Sequence, residues 1–224
     1  MRRRKFSVLL CSSSLFVLLL SSPFAAAQAK LEKLSALKDS SVPAAVRAAL
    51  DAGGSRLVRP DGSVLCEIWL RKSLPVGRVA AAKGAGYPEM SESALLGVIS
   101  FPNGGKDFRG QAINPGLYTM RYELLPEDGN HMGVAPTRDF VLLLAASADN
   151  DPAAQYDFAQ LVKLSAQAAG TNHPAVFVLL QPTVSSETRT YQNPDGFQVF
   201  AGAIQTDGGK NVPIALVVKG QAEQ

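Results

Sequence analysis

Beyond Gly54 the apolar residues of this chain recur mostly at every second position, in short runs broken by Gly, Pro, Asn and Asp. A period of two is the spacing of one face of a β-strand, so most of the chain is confined to sheets. Runs at 55–59 and 63–72 flank Pro60-Asp61-Gly62, a turn sequence, and predict a hairpin. Further runs fall at 77–83, 94–101, 117–125, 139–146, 175–180, 196–206 and 212–219, the last two joined through Asp207-Gly208-Gly209. In 117–125, Tyr118, Met120, Tyr122 and Leu124 point one way while Thr119, Arg121 and Glu123 point the other, which predicts a sheet with one wet face. The run Phe140-Val141-Leu142-Leu143-Leu144 is continuous and predicts a strand buried on both sides.

Two stretches carry helical punctuation instead. Ser41 and Pro43 open a helix that Gly53-Gly54 closes. Asp151 and Pro152 open a second, with Phe158, Leu161, Val162 and Ser165 along one stripe and Gly170 at its end. Ahead of both, Leu31, Leu34 and Leu37 recur at helical spacing, so 28–42 is expected to be a marginal helix or a tether. The expected architecture is mainly β: a single β-sandwich of about nine strands over 43–224, with an N-terminal helix and one inserted helix.

Residues 1–27 have the pattern of a secretory signal: basic Arg2 to Lys5, an apolar stretch of 15–20, and small residues ending at Ala27, the expected cleavage point. Arg3-Arg4-Lys5-Phe6 also partly matches a twin-arginine signal. The whole chain has 22 basic and 19 acidic residues, a net +3; cleavage after Ala27 removes four basic residues and leaves 18 against 19, a net −1. The charge excess thus belongs to the leader, which argues against a nucleic-acid partner. Cleavage also removes Cys11 and leaves Cys66 alone, so no intramolecular disulfide can staple the domain. The expected destination is the periplasm or the extracellular space, with no membrane span after cleavage.

The common catalytic and phosphate-binding signatures are absent from the sequence. Polar residues concentrate at 126–139, where His131 is a candidate general base or ligand, oriented by Asp128 or Asp139, with Arg138 holding an anionic group. The alternative is that this segment only solvates a turn. Asp107 and Arg109 form a second candidate, as ligand contacts or as a salt-bridged pair, and His173 enters a buried strand from a loop that could join the same rim. No transition-metal set is present. Calcium is the one cofactor considered, through Glu127 and Asp128 or through Asp149 and Asp151, although neither group follows the EF-hand spacing. Trp69 lies opposite Cys66, Ile68 and Leu70 on its strand; it either stacks on a sugar or partner, or lies beneath a helix such as 43–52.

The stretches Glu67 to Lys72, Asp107 to Gln111, Pro115 to Tyr122 and Asp128 to Gly133 resemble those of uncharacterised exported bacterial proteins. The Pro-Gly-x-Tyr-Thr element at 115–119 resembles a turn-to-strand element of several small secreted β-sandwich families. The resemblance implies an exported β fold and brings no activity with it. The functional expectation is an exported, non-enzymatic protein with a binding or envelope-associated role toward a small molecule, glycan or protein. A small-molecule hydrolase centred on His131 is the alternative.

Overall fold

A computed structural model describes residues 29–75, 84–126, 135–181 and 187–220. The signal segment with Ala27, the expected strand at 77–83 and the loop bearing Glu127, Asp128 and His131 lie outside the described residues. Among the described residues the protein is mainly β, with thirteen strands, all but one pairing antiparallel, and two helices. In chain order these are β1 (Lys30–Ser35), α1 (Ala44–Ala49), β2 (Gly53–Val58), β3 (Val64–Leu70), β4 (Ser73–Leu74), β5 (Leu95–Phe101), β6 (Gly105–Lys106), β7 (Ala112–Ile113), β8 (Gly116–Leu124), β9 (Asp139–Ala145), α2 (Phe158–Ala169), β10 (Val176–Val178), β11 (Arg189–Gln192), β12 (Gln198–Thr206) and β13 (Asn211–Lys219).

A seven-stranded sheet has the order β1-β2-β3-β5-β8-β9-β10, and a second sheet runs β11-β12-β13. The sheets are joined at two places. Strand β4 adds in parallel to β12 at Gln205 and Thr206, and Leu179 bridges Leu216 with the Leu180 N–H donating to the Ala215 carbonyl. Both sheets turn one face into a shared core: Ile68, Ile99, Met120, Tyr122 and Leu143 come from the first, and Phe200, Ile204, Ile214, Leu216 and Val218 from the second. Cys66 lies in this core with no exposure, and burial pushes its thiol well above the ordinary range.

The expected nine strands become thirteen because short pairings leave little periodic signal. Eight of the expected runs coincide with β2, β3, β5, β8, β9, β10, β12 and β13, while β4, β6 and β7 are two residues each. The clearest correction is at the N-terminus: 30–35 is neither helix nor tether but β1, paired with β2 from Lys30↔Val58 to Ser35↔Gly53. A spacing of three puts Leu31 and Leu34 on opposite faces of a strand. Leu31 packs on the shared core, whereas Leu34 and Leu37 pack with Val42, Val46, Leu50 and Trp69 on the outer face.

The second helix also starts later than its sequence punctuation suggests. Its cap is Asp157, not Asp151; the Asp157 carboxylate accepts from the Gln160 N–H while the Gln160 side chain accepts from the Asp157 N–H. Gly170 closes it in the left-handed conformation, at φ 69°. Helix α2 covers the outer face of β9, with Leu161 against Phe140, Leu142 and Leu144, so β9 is buried on both sides as expected. No helix among the described residues is long and apolar enough to cross a membrane.

Strand β8 departs from expectation on one face. Tyr118, Met120, Tyr122 and Leu124 do enter the core together, but Thr119, Arg121 and Glu123 are buried as well. Arg121 is the largest fully buried side chain of the molecule's described residues. All five of its N–H donors are used: Nε and one Nη2 hydrogen bind Asp149 at 2.8 and 2.6 Å, and the others reach the carbonyls of Asp151, Ser93 and Ala154 at 2.7, 3.0 and 3.0 Å. Thr119 donates to the same Asp149 carboxylate at 2.7 Å, and the Tyr156 ring lies 5.2 Å from the guanidinium carbon. The loop between β9 and α2 is thus folded around one guanidinium.

Candidate functional site

The segment after β6 makes a tight turn built on Asp107. Its buried carboxylate accepts from the backbone N–H groups of Arg109, Gln111 and Val176 at 2.9, 2.8 and 3.3 Å. Burial raises its pKa above the ordinary value against the pull of these donors and of Arg109. Asp107 therefore holds backbone rather than ligand, and Arg109 is exposed with no ion pair to it. The turn does meet the loop bearing His173: the Thr171 hydroxyl donates to the Gln111 side chain at 2.8 Å, and Gln111 donates to the His173 carbonyl at 3.4 Å. The Asp107 turn and the His173 loop are thereby in contact, although the His173 ring is exposed and makes no hydrogen bond among the described residues.

The acidic candidate Asp139 is also committed to structure. Its carboxylate accepts from the Gly86 N–H at 2.9 and 3.1 Å and from the Tyr122 hydroxyl at 2.7 Å. These bonds seat the segment carrying Tyr87, whose hydroxyl donates to the Leu180 carbonyl and accepts from the Ala215 N–H, across the junction between the two sheets. Burial, reinforced by the Asp139 charge, pushes the Tyr122 phenol well up and keeps it neutral. Arg138 donates to the Leu125 carbonyl at 3.0 and 2.7 Å. His131 and Asp128 belong to residues outside the described set, so Arg138 and Asp139 are the described members of that candidate site.

Two further candidates have defined surroundings. The Asp149 carboxylate pairs with Arg121, and the Asp151 carboxylate accepts from the Ala153 N–H. No group of three or more His, Cys, Asp or Glu side chains gathers as a metal site among the described residues. Trp69 is 6% exposed beneath α1, with its indole N–H donating to the Ser35 carbonyl at 2.9 Å, and offers no ring face to a ligand. Position 54 must be glycine for this: a Cβ there would sit 2.5 Å from the indole nitrogen.

Glu123 is a buried acid that the alternation of β8 did not reveal as such. It is 2% exposed, its carboxylate accepts from the neighbouring Leu124 N–H at 3.1 Å, and no ion pair to it forms among the described residues. Burial, with a smaller contribution from Glu92, raises its pKa to about 7.

A concavity of about 590 Å³ opens beside the Asp107 turn. Leu65 near the start of β3, Phe101 at the end of β5 and Val218 near the end of β13 form its apolar floor, and all three belong to the shared core. Asn103, Gly104, Gly105 and Gly110 form one wall; Arg59, Lys106 and Lys219 supply its charges, and no carboxylate lines it among the described residues. Gly104 sits at φ 70°, and a Cβ there would meet the Ile113 carbonyl oxygen at 2.8 Å, so the turn closes only with glycine. Arg59 is oriented by donating through Nη1 to the Ser63 hydroxyl and the Val64 carbonyl at 3.1 and 3.0 Å. Sequence reasoning missed Arg59 and Lys219. These cations stand at strand ends far apart in sequence and meet only once the two sheets are assembled. No family model, no curated protein and no solved structure matches this chain.

Proposed function

We propose that the protein is an exported, non-enzymatic binding protein in which the two sheets face one another as a single β-sandwich and the pocket at Arg59, Lys106 and Lys219 holds the ligand. The observation that carries this reading is the pocket itself: a concavity of about 590 Å³ with an apolar floor and cationic rim, within the size range of small-molecule sites. The described acidic candidates favour binding over catalysis, since Asp107, Asp139 and Asp149 each spend their oxygens on backbone or on an internal cation. The leader sequence supports delivery to the periplasm or beyond, where the role is envelope-associated or extracellular.

Thermal-shift screening of the full chain against sugars, organic acids and phosphates tests the reading, because a ligand at about 100 times its dissociation constant adds about 2.7 kcal/mol of stability. A shift that disappears in Asn103→Trp, which places an indole in the pocket from an exposed position, is the expected outcome. Shifts that persist undiminished in that variant would place the ligand elsewhere.

A further inference from the structure

We propose that the ligand of this pocket is a phosphate-bearing amphiphile, its phosphate held by Arg59, Lys106 and Lys219 and its apolar part lying against the apolar side of the lining. This rests on the reading of the pocket as the binding site and adds the chemistry of what enters it. Three cations around one concavity repel one another, and nothing in the described lining compensates them. Three cations elsewhere are matched: Arg56 pairs with Glu67 and Glu32, Lys210 with Glu89, and Arg121 with Asp149. Lys106 and Lys219 form no ion pair among the described residues, and the nearby Asp61 carboxylate is turned to the Ser63 N–H and hydroxyl.

The number and type of the cations choose the anion. A carboxylate brings one negative charge, whereas a phosphomonoester brings close to two and three acceptor oxygens. Arg59, anchored through Nη1, keeps Nε and Nη2 for the fork geometry that binds phosphate through two parallel hydrogen bonds. The volume of about 590 Å³ is far larger than a bare phosphate fills, and the part nearest the core is apolar. Phosphate and hydrocarbon together therefore complement the pocket where either alone leaves part of it unmatched.

Such a group can arrive as a free organic phosphate or as a lipid headgroup, and titration calorimetry on the full chain separates the two. The probes are glycerol 3-phosphate, monomeric dihexanoyl phosphatidic acid, and phosphatidylcholine vesicles with and without phosphatidic acid. Monomeric dihexanoyl phosphatidic acid is expected to bind one per chain, more tightly than glycerol 3-phosphate, and to weaken at about 0.3 M salt. Arg59→Gln, Lys106→Ala and Lys219→Ala are each expected to weaken it at least about tenfold, the two lysine variants leaving the melting temperature of the free protein within a degree or two. Binding to the monomer but not to vesicles identifies a soluble source, and binding to phosphatidic acid vesicles identifies a membrane source; both support the proposal. Absence of binding to every phosphate probe, or binding unaffected by the three substitutions, overturns it. An uncharged ligand whose binding is abolished by Asn103→Trp would overturn the phosphate chemistry and keep the pocket, whereas failure of every ligand class to respond to that variant would overturn both.

Discussion

Arg121 shows how a single buried charge can organise a loop that has no periodic pattern of its own. Its guanidinium trades hydration for five protein acceptors, so removing one partner leaves an uncompensated charge in the interior. Asp149→Ala is expected to cost about 3–5 kcal/mol in urea denaturation, and the double substitution Arg121→Met with Asp149→Leu to cost less than the sum of the single changes. Glu123 poses the opposite case, an acid with no ion pair among the described residues. Its folded-state pKa of about 7 lies above the ordinary 4.5, so the protonated form favours folding. That contribution is complete below about 4.5 and is lost as pH rises through about 7, on the order of 3 kcal/mol in all. Compared at about pH 5 and about pH 8, stability should fall more in the wild type than in Glu123→Gln, and equal slopes would remove the buried ionisation as the cause. Neither residue was legible as buried, because alternation separates two faces of a strand without saying whether a loop or helix covers the second.

At the scale of elements, the long strands were legible because each carries its own signal: the alternation of β8, the continuous apolar run of β9, and the Pro-Asp-Gly turn between β2 and β3, where Gly62 does adopt φ 84°. The misread segment, β1, has leucines at a spacing of three because two separate clusters lie on opposite sides of the sheet and each takes one residue. Strand β1 and the residues after it also cover Trp69, the protein's one tryptophan. Its fluorescence should accordingly be blue-shifted in the native protein, and deletion of 29–37 should move the emission toward the red while far-ultraviolet circular dichroism remains mainly β. A second element-level test lies in β5, where Gly97 has φ 154° beside a register shift and a Cβ would meet the Trp69 carbonyl oxygen at 2.2 Å. Backbone cannot yield as a side-chain end can, so Gly97→Ala is expected to destabilise by at least about 2–3 kcal/mol, measured by thermal or urea melting.

For the molecule as a whole, the sequence supports a β fold and a leader, but the pocket is a property of assembly. Arg59 follows β2, Lys106 ends β6 and Lys219 ends β13, so their meeting depends on β3 lying beside β5 and on β13 closing over the same core. The leader reading predicts that protein recovered from an exporting host begins at Gln28, which intact mass measurement checks; a retained first 27 residues would oppose cleavage. It also makes Cys66 the one thiol carried into an oxidising compartment. Because that sulfur is sealed inside the shared core, two copies cannot become linked through it until both of them open. The core therefore acts as a chemical seal, and the rate at which a thiol reagent labels Cys66 becomes a clock for the opening of the entire fold.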